Sequence, residues 1–473
     1  MKMYIDRQWV DSKETVPVIA PYSQQLIDTV PSASPEQIER TLQAAARGAV
    51  AMARLTSYER SKILLAAADK LAGLVEDIAR TISMEVGKPI AEARGEVSRT
   101  PDLLRLCAFE GSQARGESLP LDAQSGVKGK IGFTLRVPCG VVLAITPFNY
   151  PLLLVAHKIG PALAAGNAVI LKPAEAASLS ALKLTRVFLE AGLPEDGLQC
   201  ITGPGPSIGP ALCSDSRVRV ITFTGSTRVG AEIARVAGVK KLSLELGSNT
   251  AMIVLPDSDL KQVADATAVG GYVNAGQVCI STQRVLVHDR VYEEFLDVLR
   301  PRVEGIKVGD SLADDSKLSA MVSTAAAQRV DSWVKEAVEG GARLVTGGEC
   351  HGAVYEPTIV ADVRPEFRIF REELFGPAVA VTPVENIDQA ILMANDTRYG
   401  LAASIFTRDL NNAMRFAREV ESGVIQINWT TLWRADFMPY GGMKGSGNAT
   451  EGPRYAIEAM TETKTVVIHG LEN

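Results

Sequence analysis

Cys279 lies in the stretch Tyr272-Val273-Asn274-Ala275-Gly276-Gln277-Val278-Cys279-Ile280-Ser281-Thr282, after a helical pattern that starts near Asp259 and before the apolar run Val285-Leu286-Val287, which reads as a strand. A cysteine on such a glycine-containing turn has its thiol presented rather than packed. A presented thiol is a nucleophile once a base or a positive environment produces its thiolate. Most free cysteines are small buried hydrophobes instead, so the assignment depends on what else the chain supplies. In Thr146-Pro147-Phe148-Asn149-Tyr150-Pro151, two prolines fix a rigid turn in which Asn149 is either a turn residue or an amide donor for an oxyanion. Glu245, followed by Leu246-Gly247-Ser248-Asn249, is either a turn cap or a general base at an apolar strand end.

Two further stretches suit a nucleotide. Lys172-Pro173-Ala174-Glu175 brings a Lys and a Glu just past a strand, where they either bond ribose hydroxyls or form an exposed ion pair. Gly203-Pro204-Gly205-Pro206-Ser207-Ile208-Gly209 and Phe223-Thr224-Gly225-Ser226-Thr227-Arg228-Val229-Gly230 each follow a strand and open a helix, the context in which backbone N–H groups hold phosphate. The spacing of Gly203, Gly205 and Gly209 departs from the usual dinucleotide fingerprint. The second stretch is the stronger signal, because the Ser226 hydroxyl is able to bond phosphate directly.

These residues must be positioned by the elements around them. Ser34-Pro35-Glu36-Gln37 and Thr56-Ser57-Tyr58-Glu59 are helix starts of the capping-box type, and a third helix runs from about Pro89 to Gly111. The mixed charge of these helices predicts a solvated outer layer. From Gly140 to Glu245 short apolar strands (Val141–Ile145, Ala168–Lys172, Leu198–Ile201, Val218–Phe223, Lys241–Glu245) alternate with helices near Leu152–Ala165, Ser178–Ala191, Ile208–Ser214 and Thr227–Ala237. That alternation predicts a parallel sheet with helices on both faces and ligands at the carboxyl ends of its strands. A second alternation runs from about Ala251 to Gly441, with strands near Val285–Val287, Leu344–Thr346, Ala378–Thr382, Ala403–Thr407 and Val424–Asn428. Lys128–Arg136 alternates like an exposed hairpin or edge strand, and Thr463–Ile468 reads as a last strand without a partner nearby in sequence.

The chain of 473 residues has 46% hydrophobic and 22% charged residues and a net charge of −6, an ordinary composition for an α/β protein. The negative balance gives no electrostatic footprint for nucleic acid or anionic lipid. The start of the chain has no apolar core of a signal peptide, and prolines, His157 and Lys158 interrupt the apolar stretch Val141–Leu171, so no membrane span is expected. Six scattered cysteines without a CxxC pair and four scattered histidines predict reduced thiols, a cytoplasmic setting and no metal centre.

In this order the motifs resemble the aldehyde dehydrogenase superfamily: Thr146–Pro151, Lys172–Glu175, Phe223–Gly230, Glu245–Asn249, Gly276–Cys279, Glu372–Pro377, and Pro439-Tyr440-Gly441-Gly442 with Gly445-Ser446-Gly447. The resemblance implies an α/β fold of two doubly wound parallel-sheet domains plus a small β oligomerisation element. Residues 1–115 and 138–246 would bind the dinucleotide, 247–442 would form the catalytic domain, and 116–137 with 443–473 would serve assembly into a homodimer or homotetramer. It implies that Cys279 attacks an aldehyde, that Asn149 holds the oxyanion and that Glu245 activates the water that hydrolyses the thioester. The cofactor would be NAD, with NADP possible, held by Thr146, Pro147, Phe148, Lys172, Glu175, Gly205, Gly209, Phe223, Gly225, Ser226, Gly247, Glu373 and Phe375. A carboxylate such as Glu175 at the ribose repels a 2′-phosphate, which favours NAD. Ser248 departs from the usual Glu-Leu-Gly-Gly and would put slight steric pressure near the base. Tyr150, Ala156-His157-Lys158 and Trp433-Arg434 are similar to the branch that contains lactaldehyde and non-phosphorylating glyceraldehyde-3-phosphate dehydrogenases. There Tyr150, Arg99 and Arg434 would hold a small hydroxylated or anionic aldehyde, such as a lactaldehyde, sulfo-aldehyde or semialdehyde. Val278 stands where the glyceraldehyde-phosphate enzymes have Arg, which disfavours a phosphorylated substrate. The presence of Glu245 disfavours an acyl transfer to coenzyme A.

Overall fold

The computed structural model describes residues 1–470, so the last three positions of the expected assembly segment 443–473 lie outside the described residues. The first sheet has seven strands in the order Lys241–Glu245, Val218–Thr224, Val141–Ile145, Ala168–Lys172, Leu198–Cys200, Met3–Ile5 and Gln8–Val10. The first five are parallel, and Met3–Ile5 and Gln8–Val10 add antiparallel at one edge. Val142, Leu143, Val169 and Ile170 are fully buried because helices cover both faces of this sheet. The chain runs outward from Val141–Ile145 in one direction, then returns to place Val218–Thr224 on its other side. That reversal opens a crevice at the carboxyl ends, the usual ligand position of an open α/β sheet. Asn149 follows one strand at this point and Ser226 follows the other.

The second seven-stranded sheet is ordered Arg343–Thr346, Thr358–Ala361, Ala378–Val384, Thr282–His288, Thr250–Val254, Ala402–Phe406 and Val424–Ile427. Only Arg343–Thr346 is antiparallel to its neighbour. Thr250–Val254 and Thr358–Ala361 were not anticipated. The first begins directly after the turn at 246–249, so the chain leaves one sheet at Glu245 and enters the other at Thr250. Glu245 is thereby fixed at the junction of the two sheets.

A third, antiparallel sheet joins Thr461–Ile468, Ile131–Pro138 and Ser118–Leu119, with Thr461–Ile468 paired along its whole length to Ile131–Pro138. The two segments expected as unpaired edges are therefore partners, and the outer side of Thr461–Ile468 remains an edge. The helices Pro35–Arg54 and Ser57–Ala72 begin with the capping boxes Ser34/Gln37 and Thr56/Glu59. The solvated-layer expectation fails for Ile90–Ser112. Glu96 on this helix is buried, accepts the Leu152 and Leu153 N–H groups at 2.9 and 3.0 Å, and pairs with buried Lys88 at 2.5 Å. Its charge faces inward because the start of the helix Leu153–Ala164 presents unsatisfied donors there.

Candidate active site

The nucleophile turn is held by backbone conformation and amides together. After the helix Leu260–Tyr272, Asn274, Ala275 and Gly276 take left-handed φ values of 52°, 53° and 67°. A Cβ on Gly276 would come within 2.1 Å of the Gly376 carbonyl oxygen, so only glycine fits there. The Asn274 N–H is bound by Glu92 at 2.9 Å, and the Asn274 amide donates to the Asn149 carbonyl at 3.1 Å. Asn149 returns the contact, its Nδ2 donating to the Gln277 carbonyl at 2.9 Å. An amide nitrogen has two N–H donors, so this bond fixes the side chain and leaves the second donor available.

Cys279, Asn149 and Glu245 line one cavity of about 80 Å³, together with Tyr150, His157, Arg434, Tyr440 and Glu451. The Cys279 sulfur lies 3.3 Å from the Tyr440 hydroxyl. Burial pushes this thiol up to about 12; the Tyr440 contact and Arg434 oppose the rise, while Glu245 and Glu373 add to it. Glu245 is buried, and neither of its carboxyl oxygens has a hydrogen-bond partner among the described residues. Burial raises it well above the carboxylate range and the charge of Glu451 raises it further, against the pull of Lys158 and Arg434.

Glu451 has the opposite character. Burial works against its charge, but Lys158 at 3.4 Å and Arg434 at 2.9 Å hold it down at about 2. Two neighbouring carboxyls are thus pushed in opposite directions, Glu451 held down by its cations and Glu245 raised by burial, which gives two identical groups different proton affinities. The chain of contacts continues through His157. Its Nδ1 faces Arg434 at 3.4 Å and its Nε2 faces Asp436 at 3.1 Å. A guanidinium only donates, so Nδ1 accepts and Nε2–H donates to Asp436. Asp436 also takes both Arg99 donors, at 2.6 and 2.7 Å, and is held down at about 2 by His157 and Arg99 against the effect of burial. Both expected substrate arginines therefore line the cavity with their charges already matched. Tyr150 lines it too, with the Lys88 ammonium 3.7 Å from its ring centroid.

On the dinucleotide side, Lys172 and Glu175 converge on Gly205, whose N–H donates to Glu175 at 2.9 Å and whose Cβ position lies 3.7 Å from the Lys172 ammonium. Lys172 is buried, and burial lowers its pKa against the pull of Glu175. The Thr146 hydroxyl is buried without a partner among the described residues. Glu373 accepts the Ser248 N–H at 3.0 Å and is pushed to about 7 by burial. A Cβ on Gly247 would come within 2.5 Å of its carboxyl, which explains the glycine. Phe148 and Phe375 pack edge to face at 5.9 Å over a second cavity of about 320 Å³. An orphaned hydroxyl, an unspent ammonium and a glycine cradle fit a dinucleotide.

Two expectations need correction, for Phe223 and Ser248. Phe223 is a core residue, its ring packed under Gly225, whose added Cβ would meet it at 2.5 Å. Gly209 lies inside the helix Gly205–Ser214, as the expected helix near Ile208–Ser214 placed it, and the helix starts earlier, at Gly205. The Ser226 hydroxyl caps the helix Thr227–Ala237 by accepting the Val229 N–H at 3.4 Å, a bond that does not use its O–H donor. Ser248 turns its hydroxyl to Thr250 at 3.1 Å, so it is satisfied without pressing on the base. Glu451 and Asp436 were missed; no local motif marks them. Glu349, His351 and Glu356, on the hairpin of Cys350–His351 and Val354–Tyr355, bring one ligand atom each within 4.8 Å of one another, but they do not line the cavity.

Two α/β sheets meeting at a cavity that holds a thiol, an amide and a carboxyl define an oxidoreductase of the aldehyde-oxidising class. Residues 9–466 match the aldehyde dehydrogenase family, and the chain belongs to that family. It acts on aldehydes with a nicotinamide cofactor. It is 44% identical over 467 residues to a 3-sulfolactaldehyde dehydrogenase of Priestia aryabhattai, covering 99% of this chain and 98% of the relative. It is 37% identical over 473 residues to a lactaldehyde dehydrogenase of Methanococcus maripaludis, covering 99% and 100%. The crystal structure of an NADP-dependent glyceraldehyde-3-phosphate dehydrogenase from Bacillus halodurans, complexed with NADP, has a TM-score of 0.97 at 36% identity and covers 99% of each chain.

Proposed function

We propose that the protein oxidises a small hydroxylated or singly anionic aldehyde to its carboxylic acid, with Cys279 as nucleophile, Asn149 as oxyanion donor and Glu245 as base. The observation that carries this reading is the meeting of these three side chains on one small cavity. The thiolate of Cys279 adds to the aldehyde carbon, and the carbonyl π pair moves to oxygen, where the free Asn149 N–H and the Cys279 backbone N–H hold it. A nicotinamide dinucleotide held by Thr146, Lys172, Glu175, Gly247 and Glu373, with Phe148 and Phe375 beside the ring, supplies the hydride acceptor. The chain then holds a thioester on the Cys279 sulfur. Glu245 acts in its carboxylate form: unpartnered and made more basic by burial, it takes a proton from water as the water oxygen attacks the thioester carbon, and the thiolate leaves.

Several features support the substrate class. A cavity of about 80 Å³ suits a short aldehyde. Arg99 and Arg434 are paired with Asp436 and Glu451, so the wall offers polar donors but no unspent double positive charge for a phosphate. Relatives named for sulfolactaldehyde and lactaldehyde fit the same class. Glu175 beside Gly205 supports NAD over NADP by repelling a 2′-phosphate. The exposed edge of Thr461–Ile468 supports a homo-oligomer joined through the third sheet. Six free cysteines support a reducing, cytoplasmic setting. The test is formation of reduced nicotinamide and acid from lactaldehyde, sulfolactaldehyde, succinate semialdehyde and glyceraldehyde 3-phosphate, with either dinucleotide and no coenzyme A. The three non-phosphorylated aldehydes should lead, and Cys279→Ala should abolish turnover while keeping nucleotide binding. Turnover by that variant would overturn the mechanism.

A further inference from the structure

We propose that Tyr440 is a catalytic residue whose hydroxyl donates a hydrogen bond to the Cys279 thiolate and so sets how readily the nucleophile forms. The inference rests on the reading of Cys279 as nucleophile. Tyr440 lies in Pro439-Tyr440-Gly441-Gly442, a stretch given no chemical role above. Its hydroxyl is 3.3 Å from the Cys279 sulfur, and no other side chain among the described residues makes a hydrogen bond to that atom.

The ring is held from two sides. Backbone hydrogen bonds join Tyr440 to Glu451 in both directions, at 3.2 and 2.6 Å, and the Arg434 guanidinium lies 3.9 Å from the ring centroid. Arg434 is itself anchored by Glu451, so the ion pair beside the base also aims the phenol at the sulfur. Tyr440 is 4% exposed, and burial keeps its phenol protonated far into the alkaline range. The hydroxyl therefore remains a donor through the neutral range.

The direction of the bond follows from the proton count. While Cys279 carries its proton, either group can donate. Once the S–H proton has left to a solvent base, the sulfur only accepts, and the Tyr440 O–H must be the donor. When the sulfur forms its bond to the aldehyde carbon it loses the negative charge and most of its acceptor strength. Tyr440 thus favours the thiolate over both the thiol and the adduct. Such help has a cost, because a more stabilised thiolate is intrinsically less reactive, with a Brønsted slope of about 0.4–0.5. A one-unit fall in thiol pKa therefore gives about tenfold more thiolate, each about threefold less reactive, for a net gain of about threefold below the midpoint.

The experiment is alkylation of Cys279 by iodoacetamide from neutral to alkaline pH, followed by intact-protein mass with neither aldehyde nor dinucleotide present. Tyr440→Phe keeps the ring over which Arg434 packs and removes only the hydroxyl. Its alkylation rate should fall about threefold on the rising limb, and the limb should move to higher pH by about one unit. Ring-fluorinated tyrosine at position 440, a stronger hydrogen-bond donor of nearly the same shape, should move the limb to lower pH, a shift that a merely structural role would not produce. It also replaces Tyr440→Phe should that variant fail to fold. Wild-type profiles in both variants would overturn the proposal. Because the readout needs no turnover, its failure is distinct from failure of the Cys279→Ala test.

Discussion

On the side we assign to the dinucleotide, Lys172 is buried with no strong partner for its ammonium among the described residues, the Thr146 hydroxyl has none among them, and Glu175 accepts one backbone N–H. On the substrate side the cations are paired: Arg99 with Asp436, Arg434 and Lys158 with Glu451, and His157 lies between Asp436 and Arg434, while Glu245 stands without a partner among the described residues. The first wall keeps donors and acceptors that a ligand completes. The second has its cations paired without a ligand and acts through shape, polar edges and the field on Glu245. An open wall gains affinity from its ligand, whereas a matched wall gains rigidity and a fixed electrostatic environment.

This difference can be broken by removing one charge from each wall. Glu451→Gln leaves Arg434 buried with no counter-charge, and the cost should be about 3–5 kcal/mol in urea unfolding. The same change removes the negative neighbour that helps raise Glu245, so the Glu245 pKa falls and the rising limb of kcat moves to lower pH. An unchanged unfolding midpoint would mean that the wall is not matched as described. Lys172→Met should do the reverse. It removes an ammonium that the folded chain leaves unsatisfied, so the unfolding midpoint should stay level or rise. The KM for the dinucleotide should increase about tenfold, the worth of one charge-assisted hydrogen bond, with kcat little changed. Loss of kcat without a change in nucleotide KM would remove Lys172 from the cofactor wall.

The same contrast explains what the sequence discloses. The wall proposed for the dinucleotide has local parts that a sequence can show: Thr146, Lys172 and Glu175 stand within a few positions of strand ends, and the strands Val141–Ile145 and Ala168–Lys172 were both expected and found. The matched wall was not legible, because its pairs join residues distant in sequence. Glu451 meets Lys158 across 293 positions and Asp436 meets Arg99 across 337, and nothing near either carboxylate marks it as buried. Thr250–Val254 escaped notice for a related reason. It is short, and it joins a sheet different from that of Lys241–Glu245 although only the turn at 246–249 separates them. Phe223 was misread because a motif fixes residue type but not direction, and its ring turned to the core.

The central claim is that the reaction passes through an acyl group on Cys279 that Glu245 is needed to release. The most direct measurement is the intact-protein mass of Glu245→Gln after mixing with lactaldehyde and NAD. Hydrolysis through a positioned base contributes about 10²–10⁴-fold, so the acylated enzyme should accumulate. One acyl group should then map to the peptide that carries Cys279, with about one equivalent of reduced nicotinamide formed per active site. A variant that makes reduced nicotinamide at the wild-type steady rate without any mass increase, or that carries the acyl group on another residue, would contradict the account.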